Sequence, residues 1–138
     1  MRKMVSKVLA LAVAGVVFSL FADTTYTPGN EGWGEALTVA EGETAIIDAG
    51  GGGEWAGAIT VSSNAVLKTR GILRVNGTTT VVASGTLDVE SGTSYFTFGS
   101  RTMSGTLYVR QGAQLDMNRS DPFNYHGGFA VQIGRAHV

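Results

Sequence analysis

One short pattern, an apolar residue, any residue and then valine, recurs five times and limits what this chain can fold into. The copies are Leu37-Thr38-Val39, Ile59-Thr60-Val61, Leu73-Arg74-Val75, Leu87-Asp88-Val89 and Leu107-Tyr108-Val109. Glycine leads four of them, in Gly57-Ala58-Ile59, Gly71-Ile72-Leu73, Gly85-Thr86-Leu87 and Gly105-Thr106-Leu107, and Glu35-Ala36-Leu37 is a weaker copy. Period-two alternation sends the leucine and valine to one face of a strand and the middle residue to the other. A unit this short cannot bury its apolar face alone, whereas stacked neighbours can. The repeat therefore predicts an all-β, stacked architecture and argues against a compact enzyme.

A turn residue follows each triplet. Gly42, Asn64, Gly92 and Gly112 stand where the chain must bend, and Gly and Asn accept the positive φ that a sharp bend needs. The middle unit departs, with Gly77 one place early and Thr78 at the expected position. A second inward position is expected three residues later, at Ala45, Leu67, Val81, Tyr95 and Leu115. The units start at residues 35, 57, 71, 85 and 105, so the spacings are 22, 14, 14 and 20. The longer spacings suit one solenoid coil, and the units of 14 read as reduced coils. Stacked in register, their outward residues would form one ladder of Thr38, Thr60, Arg74, Asp88 and Tyr108, with neighbours about 4.8 Å apart. Arg74 would then stand beside Asp88. An antiparallel β-sandwich built from similar strands is the alternative arrangement.

Both ends stand outside this grammar. Residues 1–22 read as a secretory signal helix: Arg2, Lys3 and Lys7 form a basic start, Val8 to Phe21 is uncharged and mostly apolar, and Ala22 precedes polar Asp23. A helix of that apolar length spans about 21 Å, short of a hydrocarbon core of about 30 Å. Residues 23–34, with Pro28, Trp33 and three glycines, read as an irregular entry or cap segment, and 35–132 as an incomplete solenoid. Residues 133–138 match the translation of a common sequencing adapter and read as a foreign tail, on which view the natural protein continues past Gln132.

Composition excludes several function classes. The chain has no cysteine, so disulfides, thiolate metal sites and a cysteine nucleophile are ruled out. Residues 23–132 hold six Lys and Arg against eleven Asp and Glu, a net charge of −5. An acidic body lacks the clustered cations that nonspecific nucleic-acid binding needs.

The glycine-led units, with Gly105-Thr106-Leu107-Tyr108-Val109-Arg110-Gln111-Gly112-Ala113-Gln114-Leu115 the longest, resemble the β-helical passenger repeats of bacterial autotransporters over residues 57–117. The resemblance implies export, a right-handed parallel β-helix and often a C-terminal outer-membrane barrel, which would lie downstream of Gln132. It makes the expected role structural or adhesive at the cell surface, with the periplasm as the alternative location. Surface polysaccharide or a neighbouring or host cell is the expected partner, and the membrane is met only through export or the barrel.

No catalytic, cofactor or metal residue is assigned from the sequence. His126 has no orienting carboxylate at a recognisable spacing. Asp116, Asn118 and Asp121 read as a solvated loop in preference to calcium ligands. Gly50-Gly51-Gly52-Gly53-Glu54 lacks the aspartate of a calcium repeat and the lysine of a phosphate loop. The carboxylate pairs Glu41 with Glu43 and Asp88 with Glu90 read as surface charge in preference to glycosidic acid and base. Trp33, Trp55, Tyr95, Phe96, Phe98, Tyr108, Phe123, Tyr125 and Phe129 read mainly as cap and stacking residues. Asn76-Gly77-Thr78 and Asn118-Arg119-Ser120 match the glycosylation sequon. The competing readings are a carbohydrate-active β-helix enzyme, a lyase or glycosidase with its site downstream, and a sugar-binding module using Trp33 or Trp55.

Overall fold

The chain winds into a parallel β-solenoid of about four turns in a computed structural model that describes residues 23–96, 99–117, 123–125 and 130–133. Strand β1 (Thr24–Tyr26) comes first. Turn one holds β2 (Leu37–Val39), β3 (Thr44–Asp48) and β4 (Gly53–Trp55), and turn two holds β5 (Ile59–Val61), β6 (Val66–Arg70) and β7 (Ile72–Val75). Turn three holds β8 (Thr79–Val81), β9 (Thr86–Val89) and β10 (Thr93–Tyr95), and turn four β11 (Arg101–Met103), β12 (Thr106–Val109) and β13 (Gln114–Asp116). Strands β14 (Phe123–Tyr125) and β15 (Ala130–Ile133) follow. Each turn gives one strand to each of three sheets: a five-stranded sheet β14-β11-β8-β5-β2, a six-stranded sheet β1-β3-β6-β9-β12-β15 and a four-stranded sheet β13-β10-β7-β4. Every pairing is parallel, which replaces the sandwich alternative.

The coil differs from the one the triplets imply. Register pairs Leu37 with Ile59, 22 residues on, and Leu67 with Leu87 and Leu87 with Leu107, 20 residues on. A step of 14 residues is not a reduced coil but a move of two strands around one turn. Ile59 lies on the five-stranded sheet, Leu73 on the four-stranded sheet and Leu87 on the six-stranded sheet. The expected single ladder therefore does not exist. Arg74 aligns with Glu54 and Tyr95, while Asp88 aligns with Lys68 and Tyr108. All three sheets use the same apolar-x-Val device because all three face the same interior.

That interior is a single continuous, mostly apolar core. Leu67, Leu73 and Leu87 are fully buried and Leu107 nearly so, and Val61, Val75, Val81 and Val89 join them. Each such side chain contributes about 1.5–3 kcal/mol through its burial. Tyr95 is a correction: it faces outward, because Ser94 pairs with Leu73 and Leu115 and takes the inward place, with Phe96 buried next to it. Polar groups enter the core at a few points. Arg101 is buried on the inward column below which lies Thr79, and its Nη1 donates to Gly99 O at 2.9 Å. Ser94 Oγ donates to Thr69 Oγ1 at 2.7 Å, bridging the four- and six-stranded sheets inside the core. Thr69→Val alone strands the Ser94 hydroxyl and is expected to cost about 1–3 kcal/mol, while Thr69→Val with Ser94→Ala costs less than the two single changes summed. A double-mutant cycle by urea unfolding checks this; additive losses would mean the pair is not coupled.

The segment read as irregular entry contains a strand. Strand β1 extends the six-stranded sheet by pairing with Ala45 to Ile47 of β3. Residues 33–36 then run beside the next corner, with Gly57 N donating to Gly34 O at 2.8 Å and Leu37 N to Ala58 O at 2.8 Å. Residues 1–22, read above as a signal, and residues 134–138, read as part of a foreign tail, lie outside the described residues. Among the described residues no helix is long and apolar enough to cross a membrane.

Candidate functional site

The three outer faces carry different chemistry. On the six-stranded sheet the outward column Ile46, Lys68, Asp88, Tyr108 stands beside a second column of Asp48, Arg70, Glu90 and Arg110. Opposite charges meet across the turns. Arg110 holds Asp88 with two bonds, Nε to Oδ1 at 3.0 Å and Nη2 to Oδ2 at 2.8 Å. Arg70 Nε donates to Glu90 Oε1 at 2.7 Å, and Lys68 Nζ lies 3.4 Å from Glu90 Oε2. Burial pushes the Glu90 carboxyl up, but the Arg70 hydrogen bond and the Lys68 charge outweigh it and hold the group below the usual carboxylate range. The Glu90 hydrogen bond in turn raises Arg70, and the Asp88 hydrogen bond raises Arg110.

Asp88 and Glu90 thus share a face, as their parity implies. Both carboxylates are engaged by cations, and Glu90 is shifted away from the range a proton donor needs. This is the chemistry of a structural network. Glu41 and Glu43 are exposed on either side of the Gly42 bend, and Glu43 acts on Tyr26, whose phenol is raised first by burial and then by that charge.

The four-stranded sheet presents Glu54, Arg74, Tyr95 and Asp116 in one outward row. Arg74 lies 4.6 Å over the Tyr95 ring, while Asn76 Nδ2 approaches Glu54 Oε1 at 3.5 Å. Tyr108, on the six-stranded face, is covered in the same way by Arg110 at 4.7 Å. Trp55 is fully buried, packed edge-on by Tyr26 and Trp33, so it offers no ring to a sugar. Asn76 of the first sequon is half-buried, with Thr78 exposed. Gly50 to Glu54 forms the corner into β4, with Gly50 N donating to Asp48 Oδ1 at 3.1 Å. His126, Asn118 and Asp121, with Phe98 and Phe129, lie outside the described residues. Among the described residues no three or more His, Asp or Glu gather where they would hold a metal ion.

The five-stranded sheet supplies the feature that the sequence patterns missed. Thr38, Thr60, Thr80 and Thr102 stack in strict register on its outer side. Continuing the alternation past each strand end flanks them with Ala36, Ala58, Thr78 and Ser100 on one side and Ala40, Ser62, Val82 and Ser104 on the other, all exposed or half-buried. This face carries no charged side chain over four turns, while its neighbours carry rows of them. The signal was present as a threonine at the middle of Thr79-Thr80-Val81 and Arg101-Thr102-Met103, triplets that fail the apolar-x-Val test. No protein-family model, curated protein or solved structure matches the chain.

Proposed function

We propose that this chain is the solenoid part of an exported protein that serves a structural or adhesive role at the cell surface, in the manner of an autotransporter passenger. The observation that carries the reading is the uncharged, hydroxyl-lined face of the five-stranded sheet. Four turns hold its threonines at a fixed spacing of about 4.8 Å. A rigid array of that kind suits contact with an extended, regular surface such as a polysaccharide better than it suits turnover of a small substrate, which calls for a concave site with convergent polar groups. The acidic body favours solubility. Autotransporter-like export, the signal segment and a downstream barrel belong to this proposal.

The test has two parts. The natural open reading frame, including whatever follows Gln132, expressed in a Gram-negative host, is expected to become accessible to external protease on intact cells. Thr60→Lys with Thr102→Lys places charges on alternate turns of the neutral face and is expected to leave stability within about 0.5 kcal/mol, as surface changes usually do. Binding to immobilised surface polysaccharide or whole cells should fall at least tenfold. Unchanged binding removes the face from the proposal, and saccharide cleavage by the complete natural protein replaces it with the enzyme reading.

A further inference from the structure

The charged face of the six-stranded sheet does more than decorate the rod. A solenoid is nearly one-dimensional: each turn touches only its neighbours, so it opens by peeling turns from an end. What crosses each joint decides where peeling stops. The joint between turns two and three is crossed by Arg70 to Glu90 and Lys68 to Glu90. The joint between turns three and four is crossed by the paired bonds of Arg110 to Asp88. Both acids belong to the third turn, two residues apart on the same outward face. We propose that Asp88 and Glu90 form a clasp that makes turns two, three and four open as one unit, and that salt releases it.

The surrounding charges support a clasp sensitive to salt and tolerant of acid. Facing the two carboxylates are Lys68 and Arg70 from β6 and Arg110, with the Tyr108 phenol, from the β12 turn; Asp48 from β3 and Asp23 act on Arg70 from the far side. Glu90 titrates below its ordinary range. A depressed carboxylate contributes at any pH above its unfolded value and loses that contribution only as pH falls through the folded one. The Glu90 contribution is therefore complete at neutral pH and persists through mild acid. Screening is the effective release, because Arg70 and Arg110 are partly exposed and a screening length of about 3 Å at 1 M salt weakens such pairs.

Hydrogen exchange of the full chain at neutral pH, read strand by strand, tests this. At low salt β6, β9 and β12 are expected to share one protection level. Glu90→Gln should detach turn three from turn two, raising exchange in β9 and β12 by about tenfold while β6 changes little; Asp88→Asn should raise β12 alone. Salt near 1 M should mimic both changes in the wild type and add nothing to the double variant. A charge-swapped chain, Glu90→Lys with Lys68→Glu and Arg70→Glu, should restore the shared level. Equal acceleration of all three strands, or no response to salt, overturns the clasp. If Asp88→Asn fails to fold, the wild-type salt series decides: β12 loosening before β6 supports the clasp, and uniform loosening refutes it.

Discussion

Gly92→Ala is expected to cost at least about 4 kcal/mol, a large part of the 5–15 kcal/mol that holds a typical domain folded. Two effects combine. Gly92 has φ +71°, and a side chain there costs roughly 1–2 kcal/mol. The larger effect is space. Gly92 stacks on Gly71, which stacks on Gly50, at the corner between the six- and four-stranded sheets. A Cβ on Gly92 would lie 2.1 Å from Gly71 O, and one on Gly71 2.4 Å from Gly50 N. The obstacle is backbone, and that backbone is fixed by ladder bonds such as Thr93 N to Gly71 O at 3.0 Å. The turn has to lift off its neighbour. Gly42 provides the control. Its φ is +80°, yet nothing lies within 4 Å of its Cβ position, and the stacked positions Asn64 and Ser84 already carry side chains at φ 57° and 71°. Gly42→Asn is expected to cost under about 1 kcal/mol, because Asn tolerates this conformation. Urea unfolding of the two variants measures the difference; equal losses would show that conformation, not crowding, decides at these corners.

The corners also show why the sequence was legible in part. The inward leucines and valines could be read because alternation is a local property of three residues. The bends at Gly42, Asn64, Gly92 and Gly112 could be read for the same reason, and all four have positive φ. The length of the coil could not, because nothing local distinguishes the three sheets. The leading glycines look alike but serve different corners: Gly57 precedes a strand of the five-stranded sheet, Gly71 one of the four-stranded sheet, and Gly85 and Gly105 strands of the six-stranded sheet. Two inward positions of the five-stranded sheet are polar, Thr79 and Arg101, and they hid two of its strands from an apolar template. With the coil misread, the partners of Asp88 and Glu90 were out of sight. Arg70, Glu90 and Arg110 stand 20 residues apart, which has meaning only once 20 residues are known to make a full turn. The neutral threonine face was hidden by the same error.

Trp55→Ala is expected to cost about 3–5 kcal/mol, the range for deleting a buried large aromatic residue. Trp55 is the largest fully buried side chain, and Tyr26 and Trp33 meet it edge-on at centroid distances of 5.6 and 5.1 Å. Trp33 also packs over Gly53, so closely that a Cβ there would lie 2.7 Å from its ring. These three rings connect β1 and the segment after it to the first full turn, so the alanine variant should loosen that end first. Trp55→Phe separates packing from polarity. The indole Nε1 is buried without a hydrogen-bond acceptor among the described residues, and a stranded donor costs about 1–3 kcal/mol. Phenylalanine loses some volume but removes that donor, so the two terms oppose and the net loss should stay below about 1.5 kcal/mol. The measurement is urea unfolding of both variants, with Trp33 fluorescence reporting the first turn. A Trp55→Phe loss as large as that of Trp55→Ala would mean that the indole nitrogen is bonded in solution and that the cluster depends on it.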